Sequence, residues 1–190
     1  VGAAIAAKFL AAHTGNPTFA KETIYAYISD GGIQEEISQG GARIAATLGL
    51  DNLIMFYDSN DIQLSTETKD VMTEDTAAKY RALGWEVIEI VGNDAAQIRQ
   101  ALDAALKVEG KPTLIIGKCI MGKGALKADG SSYEANCKTH GAPLGGDAFV
   151  NTIKNLGGDP ENPFQIFDDV KELYANRAKE LEAICAERYA

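Results

Sequence analysis

Short apolar runs alternate along the chain with segments whose apolar positions recur at helical spacing. Apolar runs of about four to eight residues are typical of buried strands, and helical spacing is typical of amphipathic helices. The predicted strands are Thr23–Ser29, Asn52–Tyr57, Trp85–Val91 and Lys111–Gly117. The predicted helices are Val1–Ala12, which should end near Pro17, then Glu35–Leu48, Glu74–Leu83, a helix capped by Asp94 and reaching about Val108, Asp147–Leu156 and Val170–Tyr189.

This order of elements predicts an α/β fold. Strands that alternate with helices form a parallel β-sheet through right-handed connections, with helices on both faces. The length of 190 residues suits one such domain, spanning 1–190, or part of a larger enzyme. The glycine-rich stretch from Met121 to Gly146 shows no periodicity and is predicted to be a long surface loop. Because the chain begins within a helix and without methionine, we expect a fragment that lacks its N-terminal portion.

Charge and cysteine usage exclude several classes of function. The chain carries 27 acidic and 18 basic side chains, a formal charge of −9, which argues against nucleic acid as a partner. Cys119, Cys137 and Cys185 are odd in number and widely spaced, so neither a disulfide framework nor a zinc site is indicated. No apolar run approaches the roughly 20 residues that span a bilayer. We therefore expect a soluble, cytoplasmic protein without a membrane partner.

Two polar stretches follow neighbouring predicted strands and carry the candidate chemistry. Asp30 follows the first strand and precedes two glycines, and Asn60 follows the second strand. Ligands of open parallel sheets bind outside the carboxyl ends of the strands. Carboxylate and amide oxygens suit Mg²⁺, and glycines allow a phosphate to approach the backbone. The alternative is that each stretch is an ordinary turn, because the same residues dominate turns.

The two stretches together resemble a known motif. Asp30-Gly31, followed after about thirty residues by Asn60, resembles the Gly-Asp-Gly to Asn motif of thiamine-diphosphate enzymes. The continuation resembles transketolase in three further segments, namely Asp75–Val87, Gly110–Leu114 and the Thr139–Gly145 stretch with its His-Gly-Ala-Pro-Leu sequence. The match covers almost the whole chain and implies the thiamine-diphosphate-binding fold.

The resemblance implies a site for thiamine diphosphate and Mg²⁺, with Ca²⁺ or Mn²⁺ able to replace the magnesium. The implied metal ligands are the side chains of Asp30 and Asn60 and the backbone carbonyl of Ile62. The other implied cofactor contacts are the amide of Gly31, the apolar side chain of Leu64 and the imidazole of His140. The implied catalytic residues are His140, beside diphosphate and substrate, and Glu35, near a dimer contact.

The implied activity is the transfer of a two-carbon ketol unit between sugar phosphates, as in the pentose phosphate pathway. A transketolase is expected to act as a homodimer and to need a pyrimidine-binding domain of the same or a partner chain, so this fragment alone should be inactive. Ser29, Gly40 and Asp61 depart from the family pattern. The alternatives are one subunit of a split transketolase, a degenerate non-catalytic homologue, or another thiamine-diphosphate enzyme such as deoxyxylulose-phosphate synthase.

Overall fold

The computed structural model describes residues 1–16, 19 and 22–189. They form two compact units, one from Val1–Lys123 with Tyr133–Pro143 and the other from Gly124–Ser132 with Leu144–Ala190. Helix α1 (Gly2–Thr14) ends at Gly15, which adopts the left-handed conformation with φ 66°. Pro17, near which this helix is expected to end, lies outside the described residues.

The first unit is built on a four-stranded parallel sheet. Its strands are β1 (Ile24–Ser29), β2 (Leu53–Ser59), β3 (Glu86–Val91) and β4 (Thr113–Lys118), in the order β1-β2-β4-β3. The helices of this unit are α1, α2 (Asp30–Gln34), α3 (Glu36–Thr47), α4 (Thr76–Leu83) and α5 (Ala95–Ala105). Short 3₁₀ turns occupy Thr68–Asp70 and Cys137–Thr139. The predicted parallel α/β fold is confirmed.

Capping side chains fix where two helices of the first unit begin. The Asp75 carboxylate accepts a hydrogen bond from the Ala78 N–H at 2.9 Å, so α4 begins at Thr76 and not at Glu74. Asp94 accepts in the same way from Ala96 N–H at 2.9 Å and thereby starts α5. An N-cap satisfies amide groups that have no partner within the helix. Because the Asp75 cap lies outside the helix, α4 begins two residues later than predicted, whereas α5 begins after Asp94 as predicted.

Helices cover both faces of the sheet, as predicted. On one face, Leu53, Tyr57 and Leu114 pack in a cluster with residues of α1, α3 and α4. On the other face, Ile54 and Ile115 pack against the alanines of α5. Consecutive strand residues point to opposite faces, so one apolar strand supplies both cores. The indole of Trp85 adds a buried hydrogen bond of 2.9 Å to the Ala42 carbonyl.

The carboxyl ends of β3 and β4 approach each other more closely than side chains would permit. A Cβ on Gly92 would lie 2.4 Å from the Cys119 sulfur and 2.8 Å from the carbonyl carbon of Gly117. A Cβ on Gly117 would lie 2.4 Å from the ring of Phe56. Gly92 and Gly117 therefore allow the carboxyl ends of β3 and β4 to lie close together, at the edge of the sheet where the candidate site lies.

The second unit contains α6 (Gly146–Asn155) and α7 (Asp168–Tyr189). The segment from Gly124 to Ser132 packs on α6, where the Thr152 hydroxyl accepts a hydrogen bond from the Leu126 N–H at 2.9 Å. Part of the stretch predicted as one long loop is therefore held by hydrogen bonds. Among the described residues, no helix combines the length and the apolar character needed to cross a bilayer.

Candidate functional site

The candidate site lies where β1 and β2 end side by side. The parallel register pairs Ser29 with Asp58, so the residues that follow the two strands emerge at the same edge. Ser29 caps α2 through its hydroxyl, which accepts from Gly32 N–H at 3.4 Å, and Asp30 is the first residue of that short helix. Ser29 has ordinary extended backbone angles, so the departure from glycine at this position causes no strain.

The Asp30 carboxylate joins the two strand ends. It is 1% exposed, and one oxygen accepts a hydrogen bond from the Tyr57 hydroxyl at 2.6 Å. Its other oxygen accepts from the backbone N–H of Asn60 at 3.0 Å. Burial and the bond to Asp30 raise the pKa of Tyr57 above its usual range, so the phenol remains a donor. The structure thus brings Asp30 and the Asn60 segment together, as the two stretches of sequence predict.

The residues after β2 form a tight turn. The side-chain oxygen of Asn60 accepts from the Ile62 N–H at 3.0 Å, and Asp61 adopts a left-handed backbone with φ 66°. A bridge pairs the buried Ile62 with Glu67. No described residue donates a hydrogen bond to the Ile62 carbonyl. The turn therefore fixes the orientation of both groups that are expected to act as metal ligands.

The chemistry of these groups fits a magnesium ion. A buried carboxylate is costly unless a cation compensates its charge, and no lysine, arginine or histidine of the described chain forms an ion pair with Asp30. Each carboxylate oxygen can accept more than the single hydrogen bond described here. The described residues contain no group of three His, Cys, Asp or Glu side chains suited to a metal. One carboxylate, one amide and one carbonyl match a metal that also binds phosphate oxygens.

The two glycines after Asp30 have different roles. A Cβ on Gly32 would lie 2.9 Å from the Ile28 side chain, so Gly32 is required by packing. A Cβ on Gly31 would meet no atom within 4 Å. Open space therefore remains at Gly31, where the sequence predicts a diphosphate contact.

The structure does not join the remaining predicted residues to this cluster. Within the described residues, no hydrogen bond or ion pair links His140, Glu35 or Leu64 to Asp30 or Asn60. His140 follows the second 3₁₀ turn, and its Nδ1 is buried without a hydrogen-bond partner among these residues. Glu35 is exposed and precedes α3, and the Leu64 side chain is 74% exposed. Their roles remain predictions.

Tyrosines on neighbouring strands hold two carboxylates at the edge of the site, and the pattern of apolar residues does not predict these contacts. Tyr57 on β2 donates to Asp30 after β1, and Tyr27 on β1 donates to Asp58 on β2 at 2.9 Å. Burial and the bond to Asp58 raise the pKa of Tyr27 to about 12. A tyrosine near the end of an apolar strand, opposite a carboxylate, is the sequence signal that could have found both pairs.

Comparison with known proteins decides the family. The pattern described as "Transketolase, thiamine diphosphate binding domain" matches residues 1–189. The chain belongs to the transketolase family. It is 37% identical to transketolase 2 of Xanthobacter flavus over 93% of this chain and 25% of that protein, and 38% identical to transketolase 1 of Escherichia coli K12 over 95% and 27%.

Solved transketolase structures share the fold. A transketolase variant of Pichia stipitis, solved in complex with xylulose 5-phosphate, is 30% identical and superposes with a TM-score of 0.88 over 97% of this chain and 27% of that one. The chain spans about a quarter of the length of the curated relatives it matches. It is thus a transketolase thiamine-diphosphate-binding domain.

Replacing Tyr57 with phenylalanine tests whether this phenol positions the Asp30 carboxylate. A hydrogen bond to a charged group contributes about 1.5–3 kcal/mol, and about 1.4 kcal/mol corresponds to tenfold in affinity. We expect Tyr57→Phe to weaken Mg²⁺-dependent binding of thiamine diphosphate to the whole protein about tenfold, measured by calorimetry. Tyr27→Phe, which breaks the matching bond to Asp58, should change this affinity less than about twofold. Equal losses in both variants would assign Tyr57 a purely structural role.

Proposed function

We propose that this chain supplies the magnesium and diphosphate half of a transketolase active site. The whole protein would transfer a two-carbon ketol unit from a ketose phosphate to an aldose phosphate. The observation that carries the proposal is the buried Asp30 carboxylate, which is hydrogen-bonded to the main chain of Asn60 and has no cationic partner among the described residues. Membership of the transketolase family identifies the cofactor that this site would bind as thiamine diphosphate.

The proposed metal ligands are the Asp30 carboxylate, the Asn60 amide oxygen and the Ile62 carbonyl. Tyr57 holds Asp30, and the Ile62 N–H holds the Asn60 side chain, so both oxygens are oriented before a metal binds. Preorganised ligands lose little conformational entropy on binding. Mg²⁺ is the proposed ion, and Ca²⁺ or Mn²⁺ can take its place. When bound, thiamine diphosphate supplies the carbanion chemistry that a protein side chain cannot.

The other predicted residues would act around this centre. We place the Gly31 amide at the diphosphate, at a position where an added Cβ would meet no atom within 4 Å. His140 would lie beside the diphosphate and substrate, and its Nδ1 has no hydrogen-bond partner among the described residues. The exposed side chains of Leu64 and Glu35 are available to the cofactor ring and to a dimer partner, respectively.

The site needs groups beyond these residues. Residues 1–190 would act as one diphosphate-binding domain, and a pyrimidine-binding domain of the same or a partner chain would complete the cofactor site in a cytoplasmic homodimer. The chain matches only about a quarter of the length of each relative, which supports the proposal that another domain completes the cofactor site. In the pentose phosphate pathway the substrates would be sugar phosphates. The 190 residues alone should therefore show no ketol transfer.

Activity of the whole protein tests the proposal. With a ketose phosphate donor, an aldose phosphate acceptor, thiamine diphosphate and Mg²⁺, we expect mass spectrometry to detect an acceptor extended by two carbons. Removal of the metal with a chelator should stop the reaction, and added Mg²⁺ should restore it. Tight cofactor binding without two-carbon transfer would instead favour another thiamine-diphosphate enzyme or a non-catalytic homologue.

A further inference from the structure

Asp61 places a negative charge between two proposed metal ligands. Its carboxylate follows Asn60 and precedes Ile62, and its side chain is 58% exposed. The turn fixes its backbone, because φ is 66° and the Asp61 carbonyl accepts from the Thr68 N–H at 2.9 Å. A carboxylate held beside a bound diphosphate is unfavourable, because like charges repel.

Lys118 forms an ion pair with this carboxylate. Lys118 is the last residue of β4, and the parallel register places it opposite Ser59 at the end of β2. The next residue, Cys119, donates its backbone N–H to the Ser59 carbonyl at 3.0 Å. The sheet itself therefore brings the ammonium group to Asp61, and the pair does not depend on a flexible loop.

Both side chains line one cavity with two of the proposed ligands, Asn60 and Ile62. The cavity has a volume of about 510 Å³, and its wall includes Asn60, Asp61, Ile62 and Lys118. The second acidic side chain of the wall, Glu67, pairs with Lys69 at 2.5 Å. Each acidic side chain of the wall thus has a cationic partner, which leaves the cavity suited to an anion despite the net charge of −9.

We infer that Lys118 is a binding determinant for the diphosphate, because it neutralises Asp61 in a cavity that two of the proposed metal ligands, Asn60 and Ile62, also line. The inference rests on the proposed function and assigns a role to a residue outside the metal-ligand set. The pair acts as a neutral unit. Removing the lysine exposes the anion to an uncompensated carboxylate, whereas removing both charges restores the original balance.

Calorimetric titration with magnesium thiamine diphosphate tests this inference. The wild-type whole protein is compared with Lys118→Gln, Asp61→Asn and the variant that carries both changes. We expect Lys118→Gln to weaken binding about fivefold, which is modest because exposed charges are screened. Asp61→Asn, which keeps a residue that tolerates a left-handed backbone, should strengthen binding by a similar factor. The double variant should bind within about twofold of wild type, and added salt should reduce the loss in Lys118→Gln.

Lys111→Gln is the matched control. Lys111 pairs with Glu86 at 2.6 Å near the amino end of β4, so this change removes the same charge far from the cavity. An equal effect of Lys111→Gln and Lys118→Gln would overturn the inference, as would a double variant as weak as Lys118→Gln. Asp30→Asn, titrated in parallel, tests the proposed site separately. If wild type binds and Asp30→Asn does not, the site stands whatever the Lys118 variants show.

Discussion

Asp30→Asn will weaken Mg²⁺-dependent binding of thiamine diphosphate by the whole protein by at least about a hundredfold. Asn keeps the size of the side chain but removes the charge that compensates a divalent cation. Loss of a residue that merely supports a metal ligand typically costs about 10–100-fold, so loss of the charged ligand should cost at least as much. The side chain is buried, and its two oxygens are held by the Tyr57 hydroxyl and the Asn60 N–H.

Asp58→Asn provides the control for this prediction. Asp58 also lies at the end of a strand and also accepts a hydrogen bond from a tyrosine, at 2.9 Å. Its substitution should alter the affinity less than about threefold, because it is not a proposed ligand. Circular dichroism would verify that both variants are folded before titration. Comparable losses in the two variants would show that the affinity depends on the strand ends in general and not on Asp30.

Gly92→Ala will lower the free energy of unfolding by about 3 kcal/mol. Overpacking a core typically costs about 1–3 kcal/mol, and here a Cβ would lie 2.8 Å from the backbone of Gly117. The Cys119 sulfur, at 2.4 Å, can move, whereas the backbone of β4 is held by its pairing with β2 and β3. The loss should therefore lie at the upper end of that range, and urea unfolding would measure it.

Gly40→Ala is the corresponding control within a helix. Gly40 lies inside α3, where an added Cβ meets no atom within 4 Å. Alanine in a helix interior is more favourable than glycine by about 0.5–1 kcal/mol, so this variant should be more stable than wild type. If Gly92→Ala unfolded at the same urea concentration as Gly40→Ala, the close approach of β3 and β4 would not exist in solution.

The strands and most helices could be predicted from the sequence because their apolar spacing reflects burial. Strand β2 has a near-continuous apolar run since it is covered on both faces, and α3 and α5 show clear one-sided patterns. The strand order could not be predicted in this way. β4 lies between β2 and β3, which reverses the chain order, and nothing in the local spacing of apolar residues specifies that neighbour relation.

The same distinction applies to the site. Asp30 and Asn60 follow consecutive strands, so the rule for parallel sheets suffices to predict that they meet. Lys118 meets Asp61 only because β4 pairs with β2, so their ion pair depends on the strand order. Tyr57 similarly acts through a cross-strand contact that apolar spacing does not encode. Residues within one turn of a strand end were thus predictable, whereas their partners on other strands were not.

Direct location of the metal tests the central claim. Crystals of the whole protein grown with thiamine diphosphate and Mn²⁺ would reveal the ion by its anomalous scattering. We predict one peak within about 2.0–2.3 Å of an Asp30 carboxylate oxygen, the Asn60 amide oxygen and the Ile62 carbonyl, with diphosphate oxygens completing the coordination. A fully occupied cofactor whose metal is bound by other residues would contradict the account.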